Sequence, residues 1–77
     1  MITMYGADWC GDCRRAKHYF ERHDVAYEYV DVAANPDEMD NVIRYNDGRR
    51  NIPVVVFSDG SHLTEPTDAD LSAKLSN

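Results

Sequence analysis

The chain has 77 residues, 43% hydrophobic and 29% charged, with a formal net charge of −6, a composition that excludes a disordered or low-complexity segment. Its acidity argues against a nucleic-acid partner, and no apolar run approaches the roughly 18–20 residues that a membrane-spanning helix needs. The expectation is one domain over residues 1–77, monomeric and cytoplasmic, because Met1-Ile2-Thr3-Met4-Tyr5 lacks the basic segment and apolar run of a secretory leader.

Met1 to Tyr5 reads as a short strand ending at Gly6. Next comes Trp9-Cys10-Gly11-Asp12-Cys13, which holds the only two cysteines. A C-x-x-C between a strand and a helix is the arrangement of a dithiol that cycles between reduced and oxidised forms. The two sulfurs must react with each other or with something outside the chain. A helix follows to about His23, with Cys13, Ala16 and Phe20 at i, i+3 and i+7 and Tyr19 beside them. Val25 to Val32, rich in β-branched and aromatic residues, reads as a second strand.

Asn35 is predicted to cap a second helix, with Pro36 at its first position and Asp37 and Glu38 in its first turn. Met39, Val42 and Ile43 supply its buried stripe, and Asn46-Asp47-Gly48 ends it. After Pro53, Val54-Val55-Val56-Phe57 reads as a buried strand. Ser58-Asp59-Gly60 is its hairpin turn and Ser61-His62-Leu63 the partner strand. Thr67 caps a last helix, Asp70 completes a capping box, and Leu71 and Leu75 face inward. The order β-α-β-α-β-β-α predicts an α/β fold of the thioredoxin type. Its four-stranded mixed sheet, parallel in the first βαβ unit and antiparallel in the hairpin, is flanked by three helices on both faces.

Cys10 is expected where the first helix begins, with Cys13 one turn further on the same face. Helical residues three apart have α-carbons about 5 Å from each other, inside the window for a disulfide. Unpaired amides and the positive end of the helix dipole favour an anion at Cys10 by roughly 0.3–1 kcal/mol, at most about 2. Arg14 and Arg15 add to this and Asp12 opposes it, which makes Cys10 the expected nucleophile. A structural disulfide across so short a span stabilises little. A zinc site built with His18 and His23 would have the spacing C-x2-C-x4-H-x4-H, much shorter than a finger's.

Two basic clusters, Arg14-Arg15 with Lys17 and Arg49-Arg50, either meet in a positive patch beside the thiols or stay separately solvated. The Ile52-Pro53 bond, taken without context, is trans, since only about 5–6% of such bonds are cis. Trp9 either covers the thiols or packs into the core. His62, on a short hairpin strand, reads as surface.

Trp9-Cys10-Gly11-Asp12-Cys13, Ile52-Pro53, Asp59-Gly60-Ser61 and Leu63-Thr64-Glu65-Pro66, in this order and spacing, resemble the glutaredoxins, and among them the mycoredoxins of actinobacteria. The resemblance covers nearly the whole length. It implies that Cys10 attacks a mixed disulfide between a protein and a low-molecular-weight thiol, and that Cys13 or a second small thiol resolves the product. It makes Pro53 the cis proline beside the sulfurs and pairs the Ile52 backbone with the bound thiol. It places Asp68 at the thiol's polar end and makes Trp9 and Arg50 substrate-binding residues. No bound cofactor is implied.

Asp12 stands where glutaredoxins usually carry an aromatic, Gly11 where many have proline, and Pro66-Thr67 where a glycine pair is usual. These departures favour mycothiol over glutathione as co-substrate. The implied partners are thiolated or disulfide-bonded proteins, the small thiol and a flavin disulfide reductase. The alternative is a redoxin reduced directly by thioredoxin reductase and serving ribonucleotide reductase, a type that carries W-S-G-F-R-P where this chain has Ser61 to Pro66. From a different class, an iron–sulfur carrier would hold its cluster between two subunits through Cys10.

Overall fold

Four strands and three helices form within residues 1–76, the residues described by a computed structural model. In chain order they are β1 (Ile2–Gly6), α1 (Gly11–Arg22), β2 (Tyr27–Asp31), a single 3-10 turn (Pro36–Glu38) running into α2 (Met39–Tyr45), β3 (Val54–Val56), β4 (His62–Thr64) and α3 (Asp68–Leu75). The sheet order is β2-β1-β3-β4. β1 is parallel to β2 and antiparallel to β3, and β3 is antiparallel to β4.

Side-chain alternation along the strands explains the two layers. On one face Ile2, Met4, Val55 and Phe57 pack with Ala16, Tyr19 and Phe20 of α1 and Leu71 of α3. On the other, Val32 and Val54 pack with Val42 of α2, and Tyr5, Tyr45 and Val56 extend the cluster. The mixed α/β sheet with helices on both faces is therefore as the sequence predicts. Among the described residues, no helix is long and apolar enough to cross a membrane.

The element ends differ from expectation for local reasons. β2 starts two residues late because the chain first closes α1: Asp24 turns at φ 53 and the Val25 N–H donates to Phe20 O at 2.8 Å. β4 is displaced by one residue because Ser61 belongs to the turn. Its carbonyl accepts from the Phe57 N–H at 2.8 Å, Asp59 Oδ1 accepts its N–H at 2.9 Å, and Gly60 sits at φ 88. Asn35 makes no side-chain cap. Its amide donates to Asp31 O at 3.0 Å instead, and the Asp31 carboxylate accepts the N–H groups of Ala33 and Ala34. The Thr67–Asp70 capping box forms as expected. Leu71 is buried, whereas Leu75 is only partly covered.

Candidate active site

β1 hands the chain to a tight turn in which the Cys10 N–H donates to Ala7 O at 3.1 Å. Cys10 then occupies the N-cap of α1 in extended conformation, and its Sγ accepts the Cys13 N–H at 3.3 Å. That place is normally filled by Ser, Thr, Asp or Asn. Here a sulfur satisfies one of the orphan amides, a hydrogen bond that strengthens when the sulfur is negative. Cys10 Sγ also stands 4.0 Å from Ile52 O, at the outer limit for a thiol donor. The Ile52-Pro53 peptide is cis, unlike the trans bond expected without context and in line with the family resemblance.

The two thiols differ in exposure. Cys10 is partly open to solvent and Cys13 is completely buried. Burial, and then the hydrogen bond with Cys10, push the Cys13 thiol up to about 12, against a smaller opposing effect of the Ala7 backbone. The depth of Cys13 depends on Gly6. A Cβ built there would lie 2.8 Å from Cys13 Sγ and 3.2 Å from Cys13 Cβ. Sequence reasoning took Gly6 only as a strand end. The available signal was a glycine four residues ahead of the first cysteine, at the point where a strand must pass under a helix.

Around this core the predicted residues separate. Trp9 is 72% exposed, a surface residue next to Cys10 rather than a core one. The first basic cluster is engaged by the loop's own carboxyl and carbonyl groups. Arg14 donates to Asp8 O at 3.2 Å, Arg15 lies 3.4 Å from Asp12, and Lys17 is 3.9 Å from Asp8 and 4.1 Å above the Tyr29 ring. Tyr29 donates its hydroxyl to Asp8 Oδ1 at 3.0 Å, and burial and then Asp8 raise its pKa. Arg49 and Arg50, the second basic cluster, are exposed. Asp68, the first residue of α3, accepts from Arg22 at 3.4 Å, and its Oδ1 is buried with no hydrogen-bond partner among the described residues. The structure thus gathers Cys10, Cys13, Ile52 and Pro53, with Trp9 beside them in the chain, while Arg50 and Asp68 make no direct bond to either sulfur.

Comparison with known proteins matches the glutaredoxin family model over residues 2–63, a span holding both cysteines and the cis proline. A Mycobacterium tuberculosis protein named provisionally as a glutaredoxin is 39% identical over 74 residues, 96% of this chain and 88% of that protein. Mycoredoxin 1 of Corynebacterium glutamicum is 35% identical over 74 residues, 96% of this chain and 91% of its own length. The crystal structure of a glutaredoxin from Archaeoglobus fulgidus superposes with a TM-score of 0.79 at 23% identity, covering 94% of this chain and 82% of that one, which shows a common fold.

Proposed function

This chain belongs to the glutaredoxin family of thiol–disulfide oxidoreductases, and we propose that it reduces mixed disulfides between proteins and a low-molecular-weight thiol, mycothiol in preference to glutathione. The observation that carries the reading is the Cys10 sulfur, partly exposed at the N-cap of α1 and bonded to the Cys13 amide. Identity to mycoredoxin 1 and the departures at Gly11 and Asp12 support mycothiol.

In this mechanism the Cys10 thiolate attacks the small-thiol sulfur of the mixed disulfide. The target protein leaves as a thiolate and takes a proton from solvent, and Cys10 now carries the small thiol. A second small thiol then attacks, releasing Cys10 and forming a free disulfide that a flavin disulfide reductase reduces. In the other branch Cys13 loses its proton, closes a Cys10–Cys13 disulfide and expels the small thiol. A thiol pushed up to about 12 offers little thiolate at neutral pH, which favours the first branch. Ile52 lends its backbone to the bound thiol, Pro53 shapes that loop, and Asp68 and Arg50 contact polar groups of the substrate. Trp9 meets the target protein. The setting is the cytoplasm and the protein acts as a monomer.

The test offers oxidised protein mycothiol, glutathione and thioredoxin reductase in turn and follows recovery of the two free thiols. Mycothiol is expected to restore them fastest. Cys10→Ser should abolish turnover, while Cys13→Ser should keep removal of the small thiol from mixed disulfides. Recovery by thioredoxin reductase alone, with Cys13→Ser inactive, would overturn the reading in favour of a reductase-fed redoxin.

A further inference from the structure

β3 begins only at Val54, so residues 51–53, which carry the chain past the reacting sulfur, lie outside the strands. Ile52 O nevertheless stands 4.0 Å from Cys10 Sγ, and the proposed mechanism gives this backbone to the bound thiol. An unpaired segment costs conformational entropy to hold still, so bonds from outside the sheet must fix it. Two do so, one on each side of the Ile52–Pro53 link. Before it, Asn46 Nδ2 donates to Asn51 O at 2.8 Å, reaching across from the end of α2. After it, the Glu65 N–H donates to Pro53 O at 2.8 Å from just beyond β4.

A third bond closes the frame, from Asn51 Nδ2 to Glu65 Oε2 at 3.3 Å. Asn46 is itself oriented, because its Oδ1 accepts the Thr64 hydroxyl. A carbonyl such as Asn51 O can only accept, so the Asn46 amide has one satisfied arrangement, with its NH2 group toward the loop. The chain returns from α2 to this frame through Asp47 at φ 55 and Gly48 at φ 98. Glu65 sits at φ 50, in the left-handed region that glycine tolerates and side chains disfavour. A glutamate retained in that conformation, with its carboxylate on Asn51, points to a use for its side chain.

We propose that Asn46 and Glu65 are positioning residues for thiol exchange: they clamp the peptide units on either side of the Ile52–Pro53 link and so fix the backbone with which the amides of a bound small thiol pair beside Cys10. The inference rests on the reading that the carried thiol pairs with the Ile52 backbone. It applies to any small thiol whose cysteine is flanked by amides, whichever co-substrate the protein uses.

The experiment measures kcat and KM on one cysteine peptide carrying either N-acetylcysteinamide or mercaptoethanol as a mixed disulfide, at a temperature where every variant is folded. Both small thiols are uncharged, but only the first has an amide on each side of its Cα. Wild type is expected to show the lower KM for the amide-bearing disulfide. Asn46→Ala should raise that KM about fivefold, the effect of one ordinary hydrogen bond, and leave kcat in place. The mercaptoethanol disulfide should keep its KM. Glu65→Gly keeps the N–H for Pro53 O and relieves the backbone but gives up the acceptor for Asn51. It should raise the same KM about threefold while the urea midpoint holds or rises, which a purely structural role would not produce. Glu65→Gln retains an acceptor and should keep the wild-type KM. Equal changes for both disulfides, or an amide preference that survives Asn46→Ala and Glu65→Gly, would overturn the clamp and leave pairing at Ile52 standing. A wild type without amide preference would remove the pairing itself, and the clamp with it.

Discussion

Cys10 and Cys13 are chemically unequal because one helical turn carries them from the surface to full burial. Closure of the Cys10–Cys13 disulfide requires the Cys13 thiolate, and burial, its largest cause and one that a loaded Cys10 leaves in place, holds that thiol well above its ordinary 9.0. Below that value the thiolate fraction rises about tenfold per pH unit. With Cys10 preloaded with a small thiol, release of that thiol in the absence of any external thiol should therefore accelerate steeply from neutral pH upward. A rate independent of pH in stopped-flow measurement would show that Cys13 is not the limiting group. Gly6 sets the same depth from the other side. Gly6→Ala places a methyl group 2.8 Å from Cys13 Sγ, an overpacking expected to cost about 1–3 kcal/mol. Urea unfolding should show that loss, and closure should slow while alkylation of Cys10 in the open reduced protein keeps its rate. Unchanged stability and closure would mean that the helix moves aside freely.

At the level of elements, the helix starts differ in who caps them. α1 is capped by its own reactive sulfur, so capping and chemistry fall on one atom. α3 has a complete Thr67–Asp70 capping box, and the Thr67 groups hold the Asp70 carboxyl below its ordinary range. Thr67→Ala should cost about 1 kcal/mol and lower Tm by roughly 4–8 °C in a domain of this size. A Tm within a degree or so of wild type would mean that α3 is held by Leu71 and its packing alone. The turn after α1 places Asp24 at a φ of 53 that suits glycine, so Asp24→Gly should raise stability by about 0.5 kcal/mol in the same assay. The α2 entry was misread because the Asn35 side-chain amide turns back to donate to the Asp31 carbonyl at 3.0 Å instead of capping the turn that follows.

Over the whole molecule, a buried thiol and three partly buried phenols that stay neutral weaken the fold toward alkaline pH. Burial is the largest cause raising Cys13 from an ordinary 9.0 to about 12 and raising Tyr5, Tyr27 and Tyr29 from an ordinary 10.0. In each case the folded state keeps a proton that the unfolded chain has already lost. The contribution of these groups is therefore complete below about pH 9, where both states are protonated, and falls as the pH climbs from 9 toward 12. Urea midpoints should decline across that range, and the first part of the decline should shrink in Cys13→Ser, which removes the earliest titrating group. A flat midpoint up to pH about 11 would contradict the burial of these groups.

Much of this protein was legible in its residues alone. The C-x-x-C, the alternation of strands and helices, the mixed sheet, the Thr67 cap and the Asp59-Gly60 turn follow from periodicity and from chemistry confined to a few neighbouring positions. Strand and helix ends were less legible because turn hydrogen bonds such as Phe57 to Ser61 decide them. Three features depended on the tertiary structure: the close approach of Gly6 and Cys13, the binding of Lys17 to Asp8 beside the Tyr29 ring, and the Asn51–Glu65 contact. Each joins segments that only the closed sheet and its packed helices bring together, and no local pattern of side chains encodes a distance set by the folding of the intervening chain.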